Sequence, residues 1–278
     1  MALRILLTLK PPIKINMLKI DVLASGSKGN STLITTAENK KLLIDCGISA
    51  RTLTNALRKK ETALSEVRAI LITHEHADHV HSVAQISEAY NIPVFANAVT
   101  MSALKRKTGL KGGYYFEDVT PFTLLGMEIR PFRTSHDAVY PVGYSLLDGD
   151  SKFTYATDLG YFSPSVRNSI KGSDLVLIES NHDVNMLLNG PYPRHLKERI
   201  LSDRGHLSNV SCAEAIRELL DSGTKKFILG HLSEQNNTYE LAHDTTLNLL
   251  SDSGATINKD YEYFVATQQG LAETVTTK

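Results

Sequence analysis

The strongest constraint on how this chain folds is a repeated pattern in which a short apolar run stops at a glycine, an aspartate or a histidine. Such runs are typical of buried strands, and single amphipathic helices, one of them expected over residues 80–90, alternate with them. The runs lie at 18–24, 41–44, 69–72, 153–156, 175–178 and 226–229. Strands mixed with single helices predict an α/β or α+β fold with two sheets. No linker, repeat or low-complexity segment divides the chain, so we expect one domain over residues 17–278.

Composition excludes several classes of protein. The 278 residues carry 30 Lys+Arg against 30 Asp+Glu, and 42% of them are hydrophobic. These values are typical of a globular chain with a substantial core, and they exclude a collagenous, a disordered or a disulfide-stapled protein. A net charge of zero also disfavours a protein that coats nucleic acid through bulk electrostatics, although it leaves room for a local basic groove.

Two further features bear on location. The two cysteines, Cys46 and Cys212, are expected to be buried free thiols in a reducing compartment. No stretch approaches the roughly 18–20 apolar residues of a membrane helix. The apolar core of the opening segment, residues 5–9, is shorter than the ~7–15 residues of a secretory signal, so residues 1–16 are interpreted as a loose extension. We therefore expect a cytoplasmic protein that needs no membrane and no obligate protein partner.

The segment 73–79 concentrates metal-binding chemistry. It places His74, His76, Asp78 and His79 directly after a buried strand and at the start of a helix. Neutral imidazoles and a carboxylate are ligands that Zn²⁺ or Mn²⁺ accepts, and the pair His74/His76 can hold one ion while Asp78 and His79 face a second. A solvated histidine-rich turn is the alternative. Further possible ligands at other strand ends favour the metal site: Asp45, His136, Asp158 and His231.

This order of motifs resembles the metallo-β-lactamase-fold hydrolase superfamily. The resemblance covers 17–278 and implies an αββα sandwich, in which two mixed β-sheets are flanked by helices and two divalent metal ions lie at one edge. It assigns His74, His76 and His136 to the first ion and Asp78, His79 and His231 to the second, with Asp158 bridging them. By the same resemblance, Asp45 orients the ligands from behind.

Four shorter segments are similar to the YycJ/WalJ branch of that superfamily. They are residues 23–30, 179–183, 205–209 and 230–233, and Asn236–Asn237 continue the last of them. Members of this branch resemble DNA exonucleases that act from the 5′ end. The resemblance therefore implies DNA as the substrate.

The same segments supply candidate substrate contacts. Backbone N–H groups in a Gly/Ser turn can form an anion-binding nest, and the N–H groups at the start of a helix favour a phosphate. A tight hairpin turn and histidines satisfied by local backbone are the alternative interpretations. The predicted contacts are Ser25, Ser27, Asn30, Asn181, His182, His206 and Ser208. Basic residues around Tyr192 and in 105–111 are a further possible DNA surface, or an ordinary solvated one.

The expected reaction is hydrolysis of a phosphodiester between two metal ions that share a hydroxide. Asp158 and Asp78 would hold the ions, and His206 or His182 would stabilise charge or protonate the leaving oxygen. The alternative is a small-molecule hydrolase of the same fold, acting on a cyclic phosphodiester, a lactone or a thioester. A non-catalytic binding module would predict damaged ligand motifs, whereas all of them are intact.

Overall fold

The computed structural model describes residues 16–278. The predicted loose extension, residues 1–16, lies outside this range except for Asn16. That residue is held by the chain that follows: its Nδ2 donates to Asp148 Oδ1 at 3.1 Å, and its carbonyl oxygen accepts a hydrogen bond from the Ser151 hydroxyl.

The first sheet has seven strands in the order β14-β1-β2-β3-β4-β5-β6. The strands from β14 to β3 pair antiparallel, and those from β3 to β6 pair parallel, so the sheet is mixed. Their bounds are β1 Lys19–Ala24, β2 Ser31–Thr35, β3 Lys41–Ile44, β4 Val67–Leu71, β5 Val94–Asn97, β6 Tyr114–Phe116 and β14 Val275–Thr276.

The second sheet also has seven strands, in the order β13-β12-β11-β10-β9-β8-β7. It begins with the antiparallel strands β7 to β10 and continues with the parallel strands β10 to β13. Their bounds are β7 Phe122–Leu124, β8 Met127–Arg133, β9 Val142–Asp148, β10 Ser151–Ala156, β11 Leu175–Glu179, β12 Lys226–Gly230 and β13 Glu262–Val265.

Helices cover the outer face of each sheet. Helices α1, α3 and α4 pack on the first sheet, and α5, α8 and α9 pack on the second. Their bounds are α1 Ala50–Lys59, α2 Ala77–Val80, α3 Val83–Tyr90, α4 Ala98–Thr108, α5 Pro164–Ile170, α6 Val184–Asn189, α7 Arg194–Ile200, α8 Asn209–Asp221 and α9 Tyr239–Asp252; a single 3₁₀ turn spans Leu64–Glu66. The predicted αββα sandwich of two mixed sheets is confirmed.

Alternation along the strands builds three apolar layers. In β3, Leu42 and Ile44 face the second sheet, while Leu43 faces the helices outside the first. In β11, Leu177 joins the layer between the sheets and Ile178 joins the outer layer. Each such side chain is buried, and its burial stabilises the fold by about 1.5–3 kcal/mol. This packing makes the strands rigid, so the residues at their ends are held in fixed positions.

The prediction of a single helix over residues 80–90 is wrong, because the helix is interrupted at Ser82. Helix α2 ends at Val80 and α3 begins at Val83. The Ser82 backbone N–H donates to the Cys46 carbonyl oxygen at 3.0 Å, and its hydroxyl donates to the Ile48 carbonyl oxygen at 2.7 Å. Ser82 thus forms its hydrogen bonds with the loop after β3 rather than with the preceding helical turn, and the helix stops there.

Both cysteines are buried and unpaired, as expected. Across residues 16–278, every helix is too short or too polar to cross a bilayer.

Candidate metal centre and active site

Strand ends from both sheets converge at one edge of the sandwich. In the first sheet, β3 leads directly into Asp45, and β4 is followed by a loop and the short helix α2, which together carry His74 to His79. In the second sheet, β8 is followed by His136, β10 by Asp158, and β12 directly by His231. The site is therefore assembled from segments that are far apart in the chain and that rigid strands bring together.

Three of these residues have left-handed backbone conformations. The φ angles are 61° at Asp45, 58° at Asp158 and 56° at His231. This conformation costs about 1–3 kcal/mol for a residue other than glycine, and it persists where the surroundings fix it. At His231 the backbone N–H donates to Ser25 Oγ at 2.8 Å. The chain thus turns sharply at each strand end, which directs these side chains into the site.

The first ligand cluster consists of His74, His76 and His136, whose nearest ring nitrogens lie within 4.8 Å of one another. Nδ1 of His74 lies 3.0 Å from Thr73 Oγ1, which leaves its Nε2 for a metal. Nδ1 of His136 lies 3.0 Å from the Gly205 carbonyl oxygen, and Nε2 of the same ring lies 3.3 Å from His76 Nδ1. One ring nitrogen from each of the three histidines is therefore close enough to the others to bind one ion.

The second cluster consists of Asp78, His79 and His231, again with ligand atoms within 4.8 Å. Asp78 Oδ2 lies 3.4 Å from His79 Nε2 and 3.5 Å from His231 Nε2. Asp158 lies between the clusters, because its Oδ1 is 3.5 Å from His136 Nε2 and its Oδ2 is 3.4 Å from His79 Nε2. The structure thus brings together all seven predicted ligands.

Asp45 supports this cluster from behind. Its fully buried carboxylate lies 2.8 Å from His79 Nδ1 and accepts hydrogen bonds from the backbone N–H and the hydroxyl of Thr73, each at 2.9 Å. An Nδ1–H donor on His79 leaves Nε2 as its metal-facing atom, so Asp45 fixes both the tautomer and the orientation of the ring.

Glu179 is a functional residue that the sequence reasoning missed. It ends β11, its side chain is fully buried, and Oε1 lies 2.7 Å from His206 Nδ1 and 2.9 Å from His231 Nδ1. Oε2 accepts hydrogen bonds from the backbone N–H groups of Leu159 and Leu207. One carboxylate therefore orients a predicted metal ligand and a predicted catalytic histidine together. The signal was available, since Glu179 is a carboxylate at the end of an apolar strand.

The electrostatics of the site favour positive charge. Burial would raise the pKa of Asp158, but the imidazoles of His231 and His79 hold that pKa well below its usual range. Burial would lower the pKa of His231, but Asp158, Asp78 and Glu179 raise it to about 10. The pKa of Glu179 is lowered to about 2, because His206 and His231 outweigh its burial. Buried carboxylates that stay ionised among imidazoles are the environment that a dication needs.

Unpaired buried atoms provide a test of whether a metal fits. His74 Nε2 and Asp158 Oδ2 are buried without a hydrogen-bond partner among the described residues. An unsatisfied buried polar atom costs about 1–3 kcal/mol, which a coordinated ion would remove. Both atoms belong to the ligand clusters, and nitrogen and carboxylate oxygen donors suit zinc or manganese. The residues present therefore fit divalent metal binding.

A close backbone contact fixes the metal loop, defined as residues 73–79, against the first sheet. Asn30 donates its backbone N–H to the Asp78 carbonyl oxygen at 2.8 Å and accepts at its own carbonyl oxygen from the Gly47 N–H at 2.9 Å. A Cβ atom at Gly47 would lie 1.6 Å from the Asp78 carbonyl oxygen. Only glycine allows this approach, which sets the position of Asp78.

Comparison with known proteins identifies the family. Residues 40–232 match a family model described as "Beta-lactamase superfamily domain". The chain is 40% identical over 251 residues to "Exodeoxyribonuclease WalJ" of Streptococcus pneumoniae, covering 88% of this chain and 93% of that protein. The chain belongs to the beta-lactamase superfamily. Within it, the chain belongs to the family of WalJ and YycJ, since it is also 37% identical over 250 residues to "Exodeoxyribonuclease YycJ" of Bacillus anthracis, covering 88% and 94%.

A solved structure has the same fold. The metallo-beta-lactamase fold protein YhfI from Bacillus subtilis superposes with a TM-score of 0.70, covering 94% of this chain and 99% of YhfI, at 16% identity. At that identity the likeness concerns the architecture alone.

In this beta-lactamase superfamily member, three predicted substrate contacts form hydrogen bonds within the protein, close to the ligands. Ser25 is buried and its Oγ accepts from the His231 N–H. Asn30 is fully buried, its Oδ1 accepts from the Gly26 N–H, and its Nδ2 lies 3.2 Å from His79 Nε2. Ser208 caps α8 by accepting from the Ser211 N–H at 3.1 Å.

The turn 25–30 was predicted to offer its backbone N–H groups to an anion. Nearly all of these N–H groups donate hydrogen bonds to acceptors within the protein. They bond to Thr267, Asn30, Gln268, Gly26 and Asp78, and among the described contacts only that of Ser27 has no acceptor.

His182 lies behind the cleft. Its ring is 1% exposed, and both ring nitrogens lack a hydrogen-bond partner within residues 16–278. Burial lowers the pKa of His182 to about 4, so the ring is neutral at physiological pH. Of the two histidines predicted to act in catalysis, His206 lines the cleft and the buried, neutral His182 does not.

The cleft over the ligands has a volume of about 200 Å³. Besides the ligands, it is lined by Ser27, Asn181 and His206, three of the predicted substrate contacts, and by Tyr192 and Arg199 of the segment around α7. Arg199 makes two hydrogen bonds to the carboxylate of Asp137. Asn181 Nδ2 also donates to the His231 carbonyl oxygen at 2.8 Å.

Proposed function

We propose that this protein is a metal-dependent exodeoxyribonuclease that removes nucleotides from the 5′ end of DNA. The observation that carries the proposal is the pairing of an intact set of seven His/Asp ligands with the His206–Glu179 contact in one cleft. Two exodeoxyribonucleases of the family share 37–40% identity with the chain over 88% of its length. That similarity favours DNA over the small-molecule alternatives.

The proposed cofactors are two divalent ions, zinc or manganese. His74, His76 and His136 would hold one, Asp78, His79 and His231 the other, and Asp158 both. When bound, such ions polarise the phosphodiester and lower the pKa of a coordinated water toward 7. Ligands come from both sheets, so we also propose that residues 17–278 act as one domain.

His206 is the proposed proton donor to the leaving 3′ oxygen. Its Nδ1 lies 2.7 Å from the Glu179 carboxylate, so Nδ1–H donates to that carboxylate and Nε2 is left to face the cleft. The imidazolium form carries a second proton on Nε2. That proton passes to the leaving oxygen, and the ring remains neutral with its Nδ1 proton. The ring is only partly buried and lies beside His136 and His231, with centroids 4.9 and 5.3 Å away. It is therefore adjacent to the ligands without being required by either cluster, which suits a group that transfers a proton.

A labelled-strand assay tests the polarity. Purified protein with Zn²⁺ or Mn²⁺ is incubated with single- and double-stranded DNA that carries a label at the 5′ or the 3′ end. We expect the 5′ label to appear first in mononucleotides while the 3′-labelled strand shortens stepwise. Release of the 3′ label first would contradict the polarity, and cleavage of a lactone or thioester without any DNA cleavage would overturn the proposal.

We further propose a cytoplasmic location, where DNA is found and buried thiols remain reduced.

Replacement of His206 by alanine tests proton donation. We expect kcat on DNA to fall about 10²-fold or more, because the 3′ alkoxide is a poor leaving group and general acid catalysis contributes about 10²–10⁴-fold. On bis(p-nitrophenyl) phosphate, whose leaving group needs no proton, the loss should stay below about 10-fold. Steady-state kinetics on the two substrates measure the difference.

The matched control is His243→Ala, which removes a histidine of α9 whose Nδ1 contacts Asp244. It should leave both activities unchanged. Equal losses on both substrates in His206→Ala would instead indicate that His206 supports metal or phosphate binding.

A further inference from the structure

A second cavity of about 620 Å³ adjoins the metal cleft. It lies between α1 and the turn formed by residues 25–30, and Ser27 and Asp78 line both cavities. The two spaces therefore meet at a predicted metal ligand. The volume falls within the about 300–1,000 Å³ typical of pockets for small organic ligands.

The charge of this cavity is suited to an anion. Lys28 and Lys59 line it, and Asp78 is the acidic residue among its lining side chains. Lys28 pairs with Glu234 at 2.7 Å, but the two side chains are 65% and 52% exposed. A pair so exposed contributes about 0–1 kcal/mol, so Lys28 can exchange it for a phosphate at little cost. Among residues 16–278, Lys59 has no acidic partner.

The cavity has an apolar floor, and hydrogen bonds hold the turn at its rim in place. Leu23, Ile48 and Ala56 supply apolar surface. At the rim, Gln268 fixes the turn: its Oε1 accepts from the Lys28 N–H and its Nε2 donates to the Gly29 carbonyl oxygen, each at 2.9 Å. A base with flat apolar faces, attached to an anionic phosphate, matches an apolar floor with lysines at its edge.

We propose that this cavity binds a nucleotide of the DNA strand next to the scissile phosphodiester. The strand would pass from the metal cleft over Ser27 and Asp78 into the cavity, with Lys28 and Lys59 contacting its phosphates. This inference rests on the proposed nuclease function and adds a specific subsite to it. It explains how a chain of zero net charge binds DNA, since the contacts are local.

The test is the double variant Lys28→Ala/Lys59→Ala. On a single-stranded oligonucleotide we expect KM to rise about 10-fold or more at unchanged kcat. The slope of log affinity against log salt should fall by about 1.4, because single strands lose about 0.7 per phosphate contact and the variant removes two. Activity on bis(p-nitrophenyl) phosphate should not change, because it is too small to reach the lysines. Asn55 lines the cavity from α1, as Lys59 does. Asn55→Trp should therefore fill part of the cavity and raise KM on the oligonucleotide while both lysines are kept.

The matched control is Lys225→Ala/Lys259→Ala, two lysines near the start of β12, at the opposite end of that strand from His231. An oligonucleotide KM and salt slope equal to those of the control would overturn the subsite while leaving the nuclease function intact. If the wild-type protein cleaves neither substrate, the proposed function fails. Fluorescence anisotropy with a labelled strand then still decides on the subsite, since an unchanged Kd in the double variant would contradict it.

Discussion

Asp158→Ala is expected to lose at least about 10³-fold in kcat/KM on DNA, which corresponds to about 4 kcal/mol of transition-state stabilisation. The reason is its position between the two clusters, with Oδ1 3.5 Å from His136 and Oδ2 3.4 Å from His79. Loss of this carboxylate would remove a ligand from both of the proposed metal ions at once. Activity on 5′-phosphorylated DNA and metal content by elemental analysis measure the effect, and we expect fewer than two ions per chain.

The control for Asp158→Ala is Asp150→Ala, at an exposed position in the turn between β9 and β10. It should retain full activity and metal. Circular dichroism should show that Asp158→Ala keeps its secondary structure, because the strands are packed by apolar layers on both faces. Undiminished cleavage of 5′-phosphorylated DNA by Asp158→Ala would contradict the assignment of the whole metal centre.

Gly47→Ala is expected to disrupt the site without touching a ligand. The added Cβ would lie 1.6 Å from the Asp78 carbonyl oxygen, so the backbone of the metal loop must move by more than 1 Å. A displacement of that size costs about 10²-fold in rate. Overpacking costs about 3 kcal/mol here, which lowers Tm by about 6–12 °C in a domain of this size. Nuclease kinetics, metal affinity and thermal unfolding measure the three effects.

Gly112→Ala is the matched control, since a Cβ at Gly112 meets no atom within 4 Å. It should change neither activity nor Tm by a measurable amount. Wild-type metal affinity in Gly47→Ala would show that the loop carrying Asp78 adapts, and it would remove the argument that this glycine sets the position of Asp78.

The positions of two candidate ligands, Asp158 and His231, were predictable because each follows an apolar run whose end is easy to locate. The second sheet brings the ends of these two strands together. The roles of Ser25 and Asn30 were not predictable in the same way. Their motif indicates a Gly/Ser turn, but whether its polar groups face a substrate or the protein depends on segments such as Thr267–Gln268, far away in the chain.

The break at Ser82 and the role of Glu179 also depend on tertiary contacts. Periodicity across 80–90 predicts one helix, and only the carbonyl groups of Cys46 and Ile48 explain why it stops. Glu179 is the last residue of a strand, and Asp158 follows closely after one. The partners of Glu179, His206 and His231, lie 27 and 52 residues further along the chain. Local sequence identifies reactive residues, whereas their pairing requires the fold.

Because strand ends from both sheets converge, a metal bound at this centre would link the two halves of the sandwich. His74 to His79 follow a strand of the first sheet, whereas His136, Asp158 and His231 follow strands of the second. A chain in which only one half has formed contains at most part of each cluster and binds metal weakly. We therefore expect metal binding to stabilise the packed arrangement of the two sheets, and chelation to lower the free energy of unfolding.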